Sequence, residues 1–180
     1  MQVTLFNRDI SVDVTKEGEN LRLVGTLEDT RMGNALHGIR VEMVVVSWSA
    51  EILEVSGTMP SHPMEQCLDG LESLQSLVGQ RIVPGFSDMV KSTVGSRVGC
   101  THLASLVMNM GNVSVLGRYS YMREHVTEES ARAAVMLETA DSLNLLNSCV
   151  CWHEDGPLLK RWKAEHEGEE GGKPLGFMSH

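Results

Sequence analysis

The sequence predicts an α+β fold, with an N-terminal antiparallel sheet of about four to five strands and three to four helices packed on one of its faces. Three observations predict it. Apolar and polar residues alternate through the first sixty positions, the pattern of half-buried strands. After Met59-Pro60 the apolar period lengthens towards 3.6, the period of an amphipathic helix. The two patterns occur in successive blocks, which distinguishes α+β from an alternating α/β chain.

The strands are carried by Ile10-Val12-Val14, Leu21-Leu23, Ile39-Val41-Met43-Val45 and Glu51-Ile52-Leu53-Glu54-Val55. Turns fall at Glu17-Gly18-Glu19-Asn20, in a longer loop through Asp29-Thr30-Arg31-Met32-Gly33-Asn34, and at Trp48-Ser49-Ala50. Met64, Cys67, Leu68, Leu71, Leu74, Leu77 and Val78 share one helical face, so a helix is expected over about 63–78, opened by Pro63 and closed by Gly79. Ile82-Val83-Pro84-Gly85-Phe86 breaks the chain, and Ser87-Asp88-Met89-Val90-Lys91 forms a short second helix. From Thr101 a buried helix runs at least to Met110, carrying Leu103, Leu106, Val107 and Met110, and Gly111 and Gly117 leave its continuation open. Thr127-Glu128-Glu129 caps another helix that runs towards Leu145. Residues 1–166 are expected to form one domain, and 167–180, rich in Gly and Glu, a disordered tail.

Composition excludes several classes. A net charge of −9 repels phosphate backbones and anionic lipid, so nucleic acid and membrane are not expected as partners. No apolar run approaches the roughly 18 residues of a membrane span, and the N-terminus lacks a signal-peptide pattern, which predicts a cytoplasmic protein. Four cysteines in 180 residues then point to reduced thiols, metal ligands or buried cysteines rather than a disulfide framework. The 11 methionines, against few aromatics, predict a core of Met, Leu and Val. There is no G-x-S-x-G, phosphate-binding glycine loop, H-E-x-x-H or nicotinamide fingerprint.

Chemical intent concentrates in Gly99-Cys100-Thr101-His102-Leu103. Within a helix Cys100 and His102 would stand on opposite faces, about 200° apart. They converge only if Cys100 lies in the turn before the helix, which Gly99 permits, with Thr101 as the expected cap. There the thiol faces the positive end of the helix dipole, which favours thiolate, the form that ligates metals and attacks electrophiles. The bland alternative is an inert cysteine beside a solvated imidazole. Cys67, at the start of its helix, and His37, just before the strongest strand, are the candidates to complete a site. His37, Cys67, Cys100 and His102 together make a two-thiolate, two-imidazole set suited to tetrahedral zinc or iron–sulfur ligation. Cys149 and Cys151 form a C-x-C that would share one face of a strand, or lie free in a turn. His62, His125, His153 and His166 read as solvated.

Leu27-Glu28-Asp29, His37-Gly38-Ile39-Arg40-Val41, the proline-flanked Cys67, Leu77-Val78-Gly79 with Pro84-Gly85-Phe86, Gly99-Cys100-Thr101-His102-Leu103 and Cys151-Trp152 together resemble an uncharacterised bacterial family, a domain of unknown function, over about residues 8 to 157. The order of sheet, cysteine at a helix start, and second cysteine opening a later helix is also similar to U-type iron–sulfur cluster scaffolds and their sulfur-accepting relatives. That similarity implies a scaffold-like fold with Cys67 and Cys100 as thiolate ligands and His102 or His37 completing the site. The scaffold's first sheet cysteine is missing here, and His37 is the candidate substitute.

The leading expectation is therefore a metal- or iron–sulfur-binding accessory or carrier, holding zinc or a cluster and serving a protein partner. The alternative is an enzyme or sulfur carrier with Cys100 as nucleophile and His102 as base. A third is a partner-binding module without chemistry, built on Met-rich helices.

Overall fold

The computed structural model describes residues 3–125 and 137–167. Four strands, β1 (Phe6–Glu17), β2 (Asn20–Arg31), β3 (Asn34–Val46) and β4 (Ile52–Ser61), form an antiparallel meander in the order β1-β2-β3-β4. A 3-10 helix (Glu65–Leu77), helix α1 (Phe86–Thr93), a single 3-10 turn (Ser96–Val98) and helix α2 (Thr101–Glu124) follow. The expected α+β arrangement is therefore present, with four strands.

The sheet has two unlike faces. Leu21, Leu23, Leu27, Ile39, Val41, Met43, Val45, Ile52 and Met59 are buried on one. The other carries charged partners such as Arg22 with Glu17 and Arg40 with Glu42. α2 covers the apolar face so closely that a Cβ at Gly25 would lie 2.7 Å from Met110 Sδ, and one at Gly117 2.6 Å from Val14 Cγ1. This resolves the helix that the sequence leaves open. Gly111 and Gly117 do not end α2; they are the points where it packs on Phe86 and Val14. Further along, buried Arg118 donates from Nε to Ser47 O and from Nη2 to Trp48 O, both at 2.8 Å, anchoring α2 to the β3–β4 turn. Burial lowers its pKa to about 10.

Three expectations are corrected. Asp29-Thr30-Arg31 belongs to β2 rather than to a loop, because the β2–β3 hairpin is only Met32-Gly33. Both turn residues have positive φ, 51° and 81°, the requirement of a two-residue type I′ turn. The segment expected as an α-helix over 63–78 is a 3-10 helix over 65–77. Its apolar residues Leu68, Leu71, Leu74 and Leu77 recur every third position, which matches three residues per turn better than 3.6. Leu74 and Leu71 pack against the backbone of Gly57. Finally, α1 begins after Gly85 (φ 94°), one residue ahead of the expected Ser87.

The chain divides into two compact units, Met1–Arg118 and Tyr119–His180. In the second, Leu143, Leu145, Leu159 and Trp162 are buried, and Trp152 meets the rings of Tyr119 and Trp162 edge-on at 5.9 and 5.2 Å. Residues 137–142 are helical, while 126–136, including the expected Thr127 cap, lie outside the described residues. A last helix, Pro157–Glu167, was not expected; the tail from 168 also lies outside the description. Among the described residues no helix is long and apolar enough to cross a membrane.

Candidate metal centre

The site grows from strand register. Arg8 on β1 pairs with Asp29 on β2, and Asp29 pairs with His37 on β3, so the three form one row across the sheet. All three have the parity of the apolar face. Arg8 continues Ile10-Val12-Val14, Asp29 continues Leu23-Gly25-Leu27, and His37 continues Ile39-Val41-Met43. The register shifts between Asp29 and Thr30, where β3 carries one extra residue, Leu36. Bulges of this kind re-aim side chains beside functional sites.

The Asp29 side chain is fully buried. Arg8 donates to it in a two-pronged ion pair, Nε to Oδ1 at 2.7 Å and Nη2 to Oδ2 at 2.8 Å. His37 Nδ1 lies 3.1 Å from the same Oδ2. The hydrogen bond from Arg8, reinforced by its charge and by His37, holds the Asp29 carboxyl below its ordinary value, against the opposing effect of burial.

The fourth component arrives on α2. Gly99 is required because a Cβ there would lie 2.0 Å from Val94 O. That close approach lets Cys100 N–H donate to Val94 O at 2.9 Å, and the Cys100 carbonyl accepts from Ala104 N–H at 2.9 Å. Cys100 is thus the cap of α2, and Thr101, the cap expected from sequence, is its first helical residue. With Cys100 ahead of the helix, its Sγ lies 3.6 Å from His102 Nδ1, the convergence the sequence required. The other nitrogen, Nε2, lies 3.7 Å from Asp29 Oδ2, and the His102 ring stacks on His37 with centroids 3.9 Å apart. Burial first, then the neighbouring His37 and Arg8, lowers the His102 pKa, which favours the neutral imidazole at neutral pH.

Ligand atoms of Asp29, His37 and His102 all lie within 4.8 Å of one another. Metal bonds of about 2.0–2.2 Å set neighbouring tetrahedral ligand atoms roughly 3.3–3.6 Å apart. The observed 3.1 and 3.7 Å bracket that spacing.

Of the four residues expected from sequence, His37, His102 and Cys100 come together, but Cys100 meets the outer nitrogen of His102. Cys67 does not join the group. It is half-buried in the first turn of the 3-10 helix, one turn before Gly70 on the same row, and a Cβ on Gly70 would sit 3.3 Å from Cys100 Cβ. Asp29 and Arg8 were missed, although strand parity marks both as charged residues on an apolar face. His37 lies within β3 rather than before it. Cys149 and Cys151 are exposed in turns, not on a strand. His62 and His125 are not simply solvated: each Nδ1 faces a backbone carbonyl, Met59 O at 3.0 Å and Tyr121 O at 2.8 Å.

This is a small α+β domain in which one buried carboxylate meets two half-buried imidazoles at one end of the sheet. A family model described as "Protein of unknown function (DUF2889)" matches residues 6–116, and the chain belongs to that family. The match contains the whole cluster and ends before the Cys151-Trp152 region. No curated protein and no solved structure matches the chain.

Proposed function

We propose that the protein is a metal-binding accessory or carrier in which Asp29, His37 and His102 hold one divalent transition ion. The observation that carries this reading is the convergence of the three ligand atoms within 4.8 Å from β2, β3 and α2. One carboxylate and two neutral imidazoles suit zinc or ferrous iron. Three protein ligands leave a coordination position for water or for a ligand from a partner, which fits an ion that is handed on. The donor set is poor in sulfur and favours a single ion over an iron–sulfur cluster, whose irons are held mainly by thiolates. Cys100 acts from outside, fixing the orientation of His102 through Nδ1 as the outer partner of a ligating histidine does. The four free cysteines suit a reducing, cytoplasmic setting.

Zinc titration of metal-free protein by calorimetry tests the reading. One ion per chain is expected, with affinity falling more than about 100-fold in His37→Ala and His102→Ala and about tenfold in Cys100→Ser. Unchanged binding in both histidine variants overturns it.

A second reading is favoured by a separate observation. Cys100 Sγ, the two nitrogens of His102 and Asp29 Oδ2 lie in series at 3.6 and 3.7 Å, the order of a thiol, its base and the group that orients the base. It expects Cys100 to be alkylated faster than a free thiol at mildly acidic pH, and His102→Ala to abolish the difference. An alkylation rate equal to that of a free thiol overturns it.

A further inference from the structure

We propose that Arg8 is an affinity-determining counter-ion of this centre, a guanidinium that neutralises Asp29 while the metal is away and weakens metal binding enough to keep the ion exchangeable. The inference rests on the metal-site reading above.

The geometry sets up a competition for one oxygen. Asp29 Oδ2 receives Arg8 Nη2 at 2.8 Å, and the same atom stands 3.1 Å from His37 Nδ1 and 3.7 Å from His102 Nε2. An ion bound through Oδ2 therefore meets the guanidinium at close range, two positive charges on one carboxylate.

The two partners of the ion pair differ in freedom. Asp29 is fully buried and cannot turn to water, whereas the Arg8 side chain is 34% exposed and stands on β1, an edge strand. A buried carboxylate without a cation is strongly unfavourable, so Asp29 needs a positive partner in every state. Arg8 supplies it when the site is empty and can withdraw along the sheet edge when a divalent ion takes over. The fold then persists with and without metal, unlike small domains whose folding is bound to their ion. A carrier needs that property.

Cobalt(II) serves as the probe, read by its ligand-field absorption and by competition with a chelator, on the full chain. Arg8→Gln removes the charge while keeping a donor, and should bind cobalt about tenfold more tightly or better, since lifting one unit charge about 5 Å from a divalent ion is worth roughly tenfold even at the dielectric of bulk water. Arg8→Lys keeps the charge and should stay within about threefold of wild type. Wild-type binding with equal or weaker binding by Arg8→Gln overturns the role of Arg8 and leaves the metal site standing. No binding by either protein overturns both. If Arg8→Gln does not fold, the Arg8 Nε–H resonance of the wild type decides. Cobalt or zinc should end its protection from solvent exchange, and unchanged protection overturns the proposal.

Discussion

Asp29 is the residue on which the site turns, since it is at once a buried charge, a strand residue and a candidate ligand. Its ion pair is asymmetric, and so are the consequences of breaking it. Removing Arg8 strands a buried carboxylate, a loss of about 3–5 kcal/mol in comparable cases. Asp29→Asn leaves a partly exposed guanidinium that water can reach, and should cost less, about 1.5–3 kcal/mol. The folded-state pKa of Asp29 lies below its ordinary value of 3.8, so its stabilisation is present above that pH and is lost as the pH falls through the folded value. Urea denaturation of the metal-free proteins should show wild type ahead of Asp29→Asn at neutral pH, with the gap closing below about pH 3.8. A gap that widens in acid contradicts this assignment.

At the scale of elements, the site depends on how α2 begins. Gly99 allows the chain to pass against Val94 O, and that contact places Cys100 ahead of the helix instead of in it. Gly99→Ala must push the turn apart, with an expected loss of about 1–3 kcal/mol as in other overpacked sites. It should also weaken metal binding, because His102 rides on the first turn of α2. Thermal denaturation and the zinc titration check the two effects, and wild-type values in both contradict the role given to the turn.

The same elements show what could be read in advance. Alternation in Leu21-Leu23 and Ile39-Val41-Met43-Val45 disclosed the sheet because one face is buried throughout. The Cys100–His102 convergence followed from helix geometry and a glycine. The Met32-Gly33 hairpin is hidden because methionine is an unusual residue at a positive φ, so local pattern alone puts Asp29 in a loop. The 3-10 helix was hidden because apolar spacings of three and four overlap over short stretches. Arg8 and Asp29 could have been found by extending strand parity to charged residues. The register that sets Asp29 beside His37, with its one-residue bulge, is a tertiary property and has no local signal.

For the whole molecule, every residue of the site belongs to the first compact unit, Met1–Arg118, and to the span matched by the family model. The second unit has its own core around Trp152 and Trp162. Trp162→Ala, which empties a buried ring position, should destabilise that unit by about 3–5 kcal/mol. Cobalt affinity should remain within about threefold of wild type, since none of the three proposed ligands lies beyond residue 118. Tryptophan fluorescence during denaturation, alongside a cobalt titration under native conditions, separates the two; a large loss of cobalt affinity contradicts the confinement of the site to the first unit.

X-ray absorption at the zinc edge of zinc-loaded protein tests the centre most directly, because it reads the donor atoms themselves. An Asp29, His37 and His102 site gives a shell of nitrogen and oxygen at about 2.0–2.2 Å, with the outer-shell scattering of two imidazoles and no sulfur. A shell containing two sulfur atoms at about 2.3 Å would contradict it and move the site to Cys67 and Cys100.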